Sequence, residues 1–168
     1  MVAGEQFCRP DNLTMFRELR MSHVVTIKCE LRDLAAIEAA CKRLGWTFKR
    51  GQNTFNWYGT WVGDYSGQDA AYIAADIKPE DYGKCDHAIG VPGASYEIGL
   101  IAREGKFIPV FDNWNSGGLK GLTAANGLKG FVQAYGVEKT KNELRRKGYS
   151  PVEQTRADGS IVVTAIAA

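Results

Sequence analysis

Histidine is scarce in this 168-residue chain, which has two, and its four cysteines form no C-x-x-C or similar short pair. A closed zinc site takes four nitrogen or sulfur ligands, usually in close pairs, so no ready-made structural metal centre is written here. Charge of one sign is equally short. The 21 basic side chains against 19 acidic ones leave +2, too little for a long-range field that gathers nucleic acid or an anionic membrane. Such a surface would have to come from local clustering. No apolar run approaches the ~20 residues of a membrane-spanning helix. The first residues carry Glu5, Arg9, Asp11 and Glu18 and lack an apolar core, which does not fit a secretory signal. Cys8, Cys29, Cys41 and Cys85 read as reduced, structural cysteines of a cytosolic protein, three of them in or beside apolar patterns.

What remains is an ordinary globular balance, 45% hydrophobic and 24% charged, at a length that builds one domain without disulfides. Residues 1–20 match no periodic template, apart from a short helix that Asp11 or Asn12 could cap through Leu19. Met21 is a second plausible start, so 1–20 is read as an extension and 21–168 as a single α+β domain.

From His23 the pattern sharpens. Val25, Ile27, Cys29 and Leu31 alternate with polar residues, as a half-buried strand does. Asp33 is an N-cap candidate, Leu34, Ile37, Cys41 and Leu44 share one helical face, and Gly45 stands at the C-cap. Residues 46–69 mix aromatics with glycines, which suggests a strand around Phe55–Thr60 and then a long loop; Tyr72–Ile77 suggests another strand. Glu104-Gly105 joins strands 96–103 and 106–111 in a tight hairpin. Pro109 cannot donate to a ladder, so the second of these strands is expected at an edge or with its bare nitrogen outward. Residues 113–127 read as a loop. Leu128, Phe131, Val132, Tyr135 and Leu144 mark a long amphipathic helix stopped at Gly148, with Phe131 and Tyr135 inward and Lys141 on the wet face. A last hairpin turns at Ala157-Asp158-Gly159. The order predicts a largely antiparallel sheet with two main helices packed on it, ferredoxin-like in general manner.

A scatter of short motifs carries a resemblance: Met21-Ser22-His23, Asp86-His87-Ala88-Ile89, Pro92-Gly93, Tyr96-Glu97-Ile98-Gly99, Asn126-Gly127, Gln133-Ala134-Tyr135, Glu138-Lys139, Arg146-Lys147-Gly148-Tyr149-Ser150 and Asp158-Gly159-Ser160-Ile161. Over roughly Met21 to Thr164 the chain resembles the bacterial family called domain of unknown function 1257, itself similar to the hypothetical chloroplast reading frame 35 of plastids and cyanobacteria. The stretch Gly51–Gln68 matches it least. The resemblance implies a protein of the bacterial cytoplasm or plastid stroma with no established reaction. Such genes often neighbour those of a MoxR-like AAA+ ATPase and a ferredoxin, which implies an accessory role.

Three function classes follow from the residues. Cys85-Asp86-His87 is the densest reactive group. Thiolate and imidazole suit zinc, or a cysteine nucleophile with a histidine base, and side chains at i and i+2 of an extended segment point the same way. Too few further ligands accompany them for a tetrahedral site, so neither a metal, a cofactor nor a catalytic residue is assigned. Gly117-Gly118-Leu119-Lys120-Gly121 resembles an anion-wrapping loop without the ending of a Walker motif. The basic helix 138–147, with Trp57, Tyr58, Trp61 and Trp114 as stacking aromatics, is the nucleic-acid alternative, ranked third. The reading adopted is an accessory protein acting through a protein partner, an AAA+ ATPase being the class implied, with Asp86, His87, Trp114, Lys120 and Asn126 as candidate binding residues. A small enzyme or metal- or ligand-binding module at Cys85-Asp86-His87 is its rival.

Overall fold

The computed structural model describes residues 24–26, 30–59, 77–78, 81–112, 117–119, 121–122 and 127–167. The expected extension 1–20, all but Ile77 of the strand expected at 72–77, and most of the expected loop 113–127 lie outside them.

Strand β1 (Val24–Thr26) leads through Leu31 into helix α1 (Leu34–Arg43). Asp33 caps it as the sequence indicates, its carboxylate accepting from the Ala35 and Ala36 N–H groups. Strands β2 (Thr47–Arg50), β3 (His87–Gly90), β4 (Glu97–Arg103) and β5 (Lys106–Asp112) follow, then helix α2 (Gly127–Arg146) and the hairpin β6 (Tyr149–Thr155) and β7 (Ile161–Ala167). The main sheet has the order β1-β5-β4-β3-β2 with every pair antiparallel. Four antiparallel steps set β1 and β2 parallel at opposite edges, so β1–α1–β2 is a split β–α–β unit with three strands between its arms.

The fold is α+β, with both helices on one face. There Ile37 and Cys41 from α1 and Phe131 and Tyr135 from α2 meet Ile89, Ile98, Leu100 and Phe111 of the sheet, all buried. Trp46 stacks on Phe131 at 5.6 Å between ring centroids. Tyr135 reaches past the core: its hydroxyl accepts from the backbone N–H groups of Arg32 and Asp33, tying α2 to the entry of α1.

Several expectations need correction. Residues 55–59 form no strand; β2 and β3, unforeseen as strands, occupy that side of the sheet instead. Of the two placements that Pro109 allowed, the edge is excluded, because β1 pairs with Val110–Asp112. Lys141 is not on a wet face. It bonds Glu138 at 3.1 Å and Glu153 at 3.3 Å, and Arg43 joins the same two acids, so that α1, α2 and β6 share one four-membered ion-pair network.

Candidate functional site: the loop-covered face of the sheet

Strand alternation sends Lys49, Ala88, Glu97, Gly99, Ile101, Val110 and Asp112 to the face away from the helices. A second cluster forms there, in which Phe55 and Ile77 pack on Ala88, Ile101 and Val110, with Trp57, Tyr82 and Cys85 around them. Close approach requires glycine beneath two of these rings. A Cβ at Gly99 would overlap the Phe55 ring, and one at Gly83 would overlap the Trp57 indole.

Two carboxylates and one isolated bridge to residues 83–85, not a continuous β-ladder, hold the 51–59 segment down. Glu97 is 4% exposed. It accepts from Lys49 Nζ, from Gln52 Nε2 and from the Asn56 N–H, both amide bonds being 2.9 Å. The Glu97 N–H answers by donating to the Asn56 carbonyl at 2.9 Å. Asp112, 2% exposed, stands at the same end of the β4–β5 pair and accepts from the Tyr58 N–H at 3.3 Å. Two N–H groups of the segment, two residues apart, therefore point at two buried acids. Burial pushes the Glu97 carboxyl up. The Lys49 ammonium, the Asn56 N–H and the Gln52 amide outweigh it and leave Glu97 below the usual carboxylate range.

The Cys85-Asp86-His87 group sits at the border of this face, and its side chains part company. A bend at Asp86 breaks the alternation, correcting the expectation that positions 85 and 87 point together. Cys85 packs in the loop-side cluster and donates Sγ–H to the Gln52 carbonyl at 3.1 Å. Burial, with Asp86 and Glu97 nearby, pushes its thiol up to about 11, the opposite of an activated nucleophile. Asp86 Oδ2 accepts from the Ala102 N–H at 2.7 Å, extending the β3–β4 pairing with a side chain. His87 faces the helix side between Phe48 and Phe107, and its Nδ1 accepts from the Gly51 N–H at 2.9 Å. Each of the three has a structural partner. Among the described residues no three His, Cys, Asp or Glu side chains gather as metal ligands do. Trp114, Lys120 and Asn126 lie outside the described residues.

Beside Glu97 opens a cleft of about 290 Å³, with Thr47, Lys49, Asn56, Ser95 and the 90–94 turn along its walls. Its only charged side chains are Lys49 and Glu97, already paired with each other. Sequence reasoning missed this centre. A lone Glu in the run Tyr96-Glu-Ile-Gly-Leu-Ile, at a strand start, was the available signal: an acid inside an apolar strand is seldom buried without partners.

Two of the cations of the basic helix are engaged by acids. Lys141 is spent on Glu138 and Glu153, and Arg146 pairs with Glu143 at 2.6 Å and approaches Asp33 at 4.0 Å. No described helix is long and apolar enough to cross a membrane. No family model, curated protein or solved structure matches the chain.

Proposed function

We propose that this chain is a non-catalytic accessory protein of the cytoplasm that acts by binding a protein partner. The family resemblance makes a MoxR-like AAA+ ATPase the partner class to test first. The supporting observation is the fixed presentation of the 51–59 segment. Its backbone is tied to the sheet by Glu97 and Asp112, its Phe55 and Trp57 rings are packed beneath, and Tyr58 is left 52% exposed at the surface. Holding a segment in one conformation before binding lowers the ordering cost of association. Tyrosine is among the side chains that most often dominate an interface. The reactive groups nearby serve the same purpose, since Gln52 is bonded by both Cys85 and Glu97 and Gly51 by His87.

The test is a titration of the purified chain against the MoxR-like ATPase of its native host. Binding that Tyr58→Ala weakens at least tenfold, with folding unchanged, is the expected result, because interface anchors cost about 2 kcal/mol or more on truncation. No binding, or equal binding by Tyr58→Ala, overturns the reading.

The cleft favours a second reading, a small polar ligand held between Lys49 and the Ser95 turn, at the lower size limit of such sites. A metabolite screen by thermal shift, repeated on Lys49→Ala, would separate the two.

A further inference from the structure

We infer that the chain pairs with a second copy of itself through the edge of β7 that is free among the described residues, joining two hairpins into a four-stranded antiparallel sheet. This goes beyond the reading above and uses a different surface.

Of the four sheet edges among the described residues, β1 is only three residues long, β2 and β6 are blunted in familiar ways, and β7 is the exception. Strand β2 is four residues long and carries Lys49 and Arg50. Strand β6 contains Pro151, which has no N–H to offer, and Glu153, which is bound into the ion-pair network. Strand β7 reads Ile161-Val-Val-Thr-Ala-Ile-Ala167, seven residues with no charge, no proline and no glycine. One side of it is fully paired to β6, from Tyr149↔Ala167 to Thr155↔Ile161. Its other side bonds to no described backbone group. An unguarded, β-branched edge of this length is a template for another strand.

The hairpin face turned from the helices is equally bare. Glu153 and its alternate neighbours face α2, so Ser150, Val152, Gln154, Val162, Thr164 and Ile166 face outward, and none is charged. Val152 is 48% and Ile166 50% exposed, two of the few large apolar side chains so placed among the described residues.

The sequence of β7 argues for a second copy as the occupant. A two-fold axis through Thr164 sets two antiparallel β7 strands against each other, and pairs Thr164 with Thr164, Val162 with Ile166, Val163 with Ala165 and Ile161 with Ala167. The first is a hydrogen-bonding threonine pair, the second a pair of branched apolar chains, and the last two set large against small. No charge meets a like charge, although each whole chain carries +2. A contact of one strand pair and one thin apolar face is at the small end of specific interfaces, so the dimer should be weak and concentration-dependent.

The experiment is sedimentation velocity on the full chain over a concentration series, with Thr164→Lys and Thr164→Glu. Position 164 is exposed, so both variants should keep the wild-type melting temperature. The expected result is a reversible monomer–dimer equilibrium for wild type and monomer at every concentration for either variant alone. An equimolar mixture of the two should dimerise again, because lysine then meets glutamate across the axis. Two outcomes overturn the inference: a wild type that is monomeric at every concentration, or a dimer that persists in both variants. In the first case, a Thr164→Lys variant that melts lower or loses ATPase binding would assign the β7 edge to other residues of this chain or to that partner.

Discussion

The helix-covered and loop-covered faces of the central sheet differ in what closes them. On the helix side the contacts are apolar and large: Phe131, Ile37 and Leu100 interlock, and Trp46 lies flat on Phe131. On the loop side the apolar layer is thin, and the segment above it has no ladder of its own beyond a single Thr54↔Lys84 bridge. Two buried acids supply what the ladder would have supplied, accepting N–H groups that would otherwise be stranded against the sheet. The contrast teaches that an irregular segment can be seated on a sheet by charged acceptors placed under it. The cost is exposure to a failure that apolar packing does not share, protonation.

The largest effect should come from the helix side. Phe131→Ala removes a fully buried ring against Trp46 and ought to cost about 3–5 kcal/mol by urea denaturation. A cost under about 1 kcal/mol would mean that the two faces do not divide the stability as drawn.

Glu97→Leu should follow, at about 3 kcal/mol, because it leaves the Asn56 N–H, the Gln52 amide and the Lys49 ammonium facing an apolar side chain. Glu97→Gln keeps an oxygen for the Asn56 N–H and should cost clearly less. Hydrogen exchange sharpens the comparison. In Glu97→Leu the Asn56 and Tyr58 amides should lose protection while those of α1 keep theirs; uniform loss would show that the loop face has no separate stability.

This division also sorts what the sequence made legible. The helical spacing of apolar residues in α1 and α2 reports burial against one broad face, and both were read from it; the two hairpins were read from their turns, Glu104-Gly105 and Ala157-Asp158-Gly159. The loop face leaves no such period. Phe55, Trp57 and Tyr58 resemble a strand by composition, yet the Asn56 and Tyr58 N–H groups go to Glu97 and Asp112, more than 40 residues away in sequence, and the Phe55 N–H goes to the Gly83 carbonyl. β2 and β3 were missed for the reverse reason. Thr47-Phe-Lys-Arg50 and His87-Ala-Ile-Gly90 are short and poor in β-branched residues, and only their pairing with each other and with β4 makes them strands. For the site, Asp86 and His87 were legible as residues but not in their roles, because neither the bend at Asp86 that separates His87 from Cys85 nor the reach of Asp86 to the Ala102 N–H leaves a mark in the local sequence.

A carboxylate outside both faces calibrates the acid effect. Arg43, with Lys141, holds Glu153 down at about 2. A carboxyl whose folded value lies below its unfolded value contributes stability above the unfolded value and loses it as pH falls through the folded one. The Glu153 contribution should therefore be complete above roughly pH 5 and drain away toward pH 2. Its surroundings are partly wet, so we expect about 1 kcal/mol, not the value a dry pair would give. Glu153→Gln should flatten the stability–pH curve between those limits. Glu97 shifts in the same direction and should make the loop face open before the helix face in acid. A curve unchanged in Glu153→Gln would remove the network from the account.

Tyr58 should show the smallest effect on stability, and it tests whether backbone or ring ties the segment down. One link of Tyr58 to the sheet is the N–H that reaches Asp112, and the residue itself is 52% exposed. Alanine keeps that N–H, so Tyr58→Ala should stay within about 0.5 kcal/mol of wild type. Proline removes the donor and leaves Asp112, 2% exposed, short of one of its partners. Tyr58→Pro should therefore cost about 1–3 kcal/mol more than Tyr58→Ala in the same denaturation series. Equal costs for the two would mean that Asp112 does not anchor the segment, and the likeness drawn between Asp112 and Glu97 would fail. Unequal costs, with partner binding lost in both, would separate the two functions of one residue: its amide fixes the surface, and its ring is the surface.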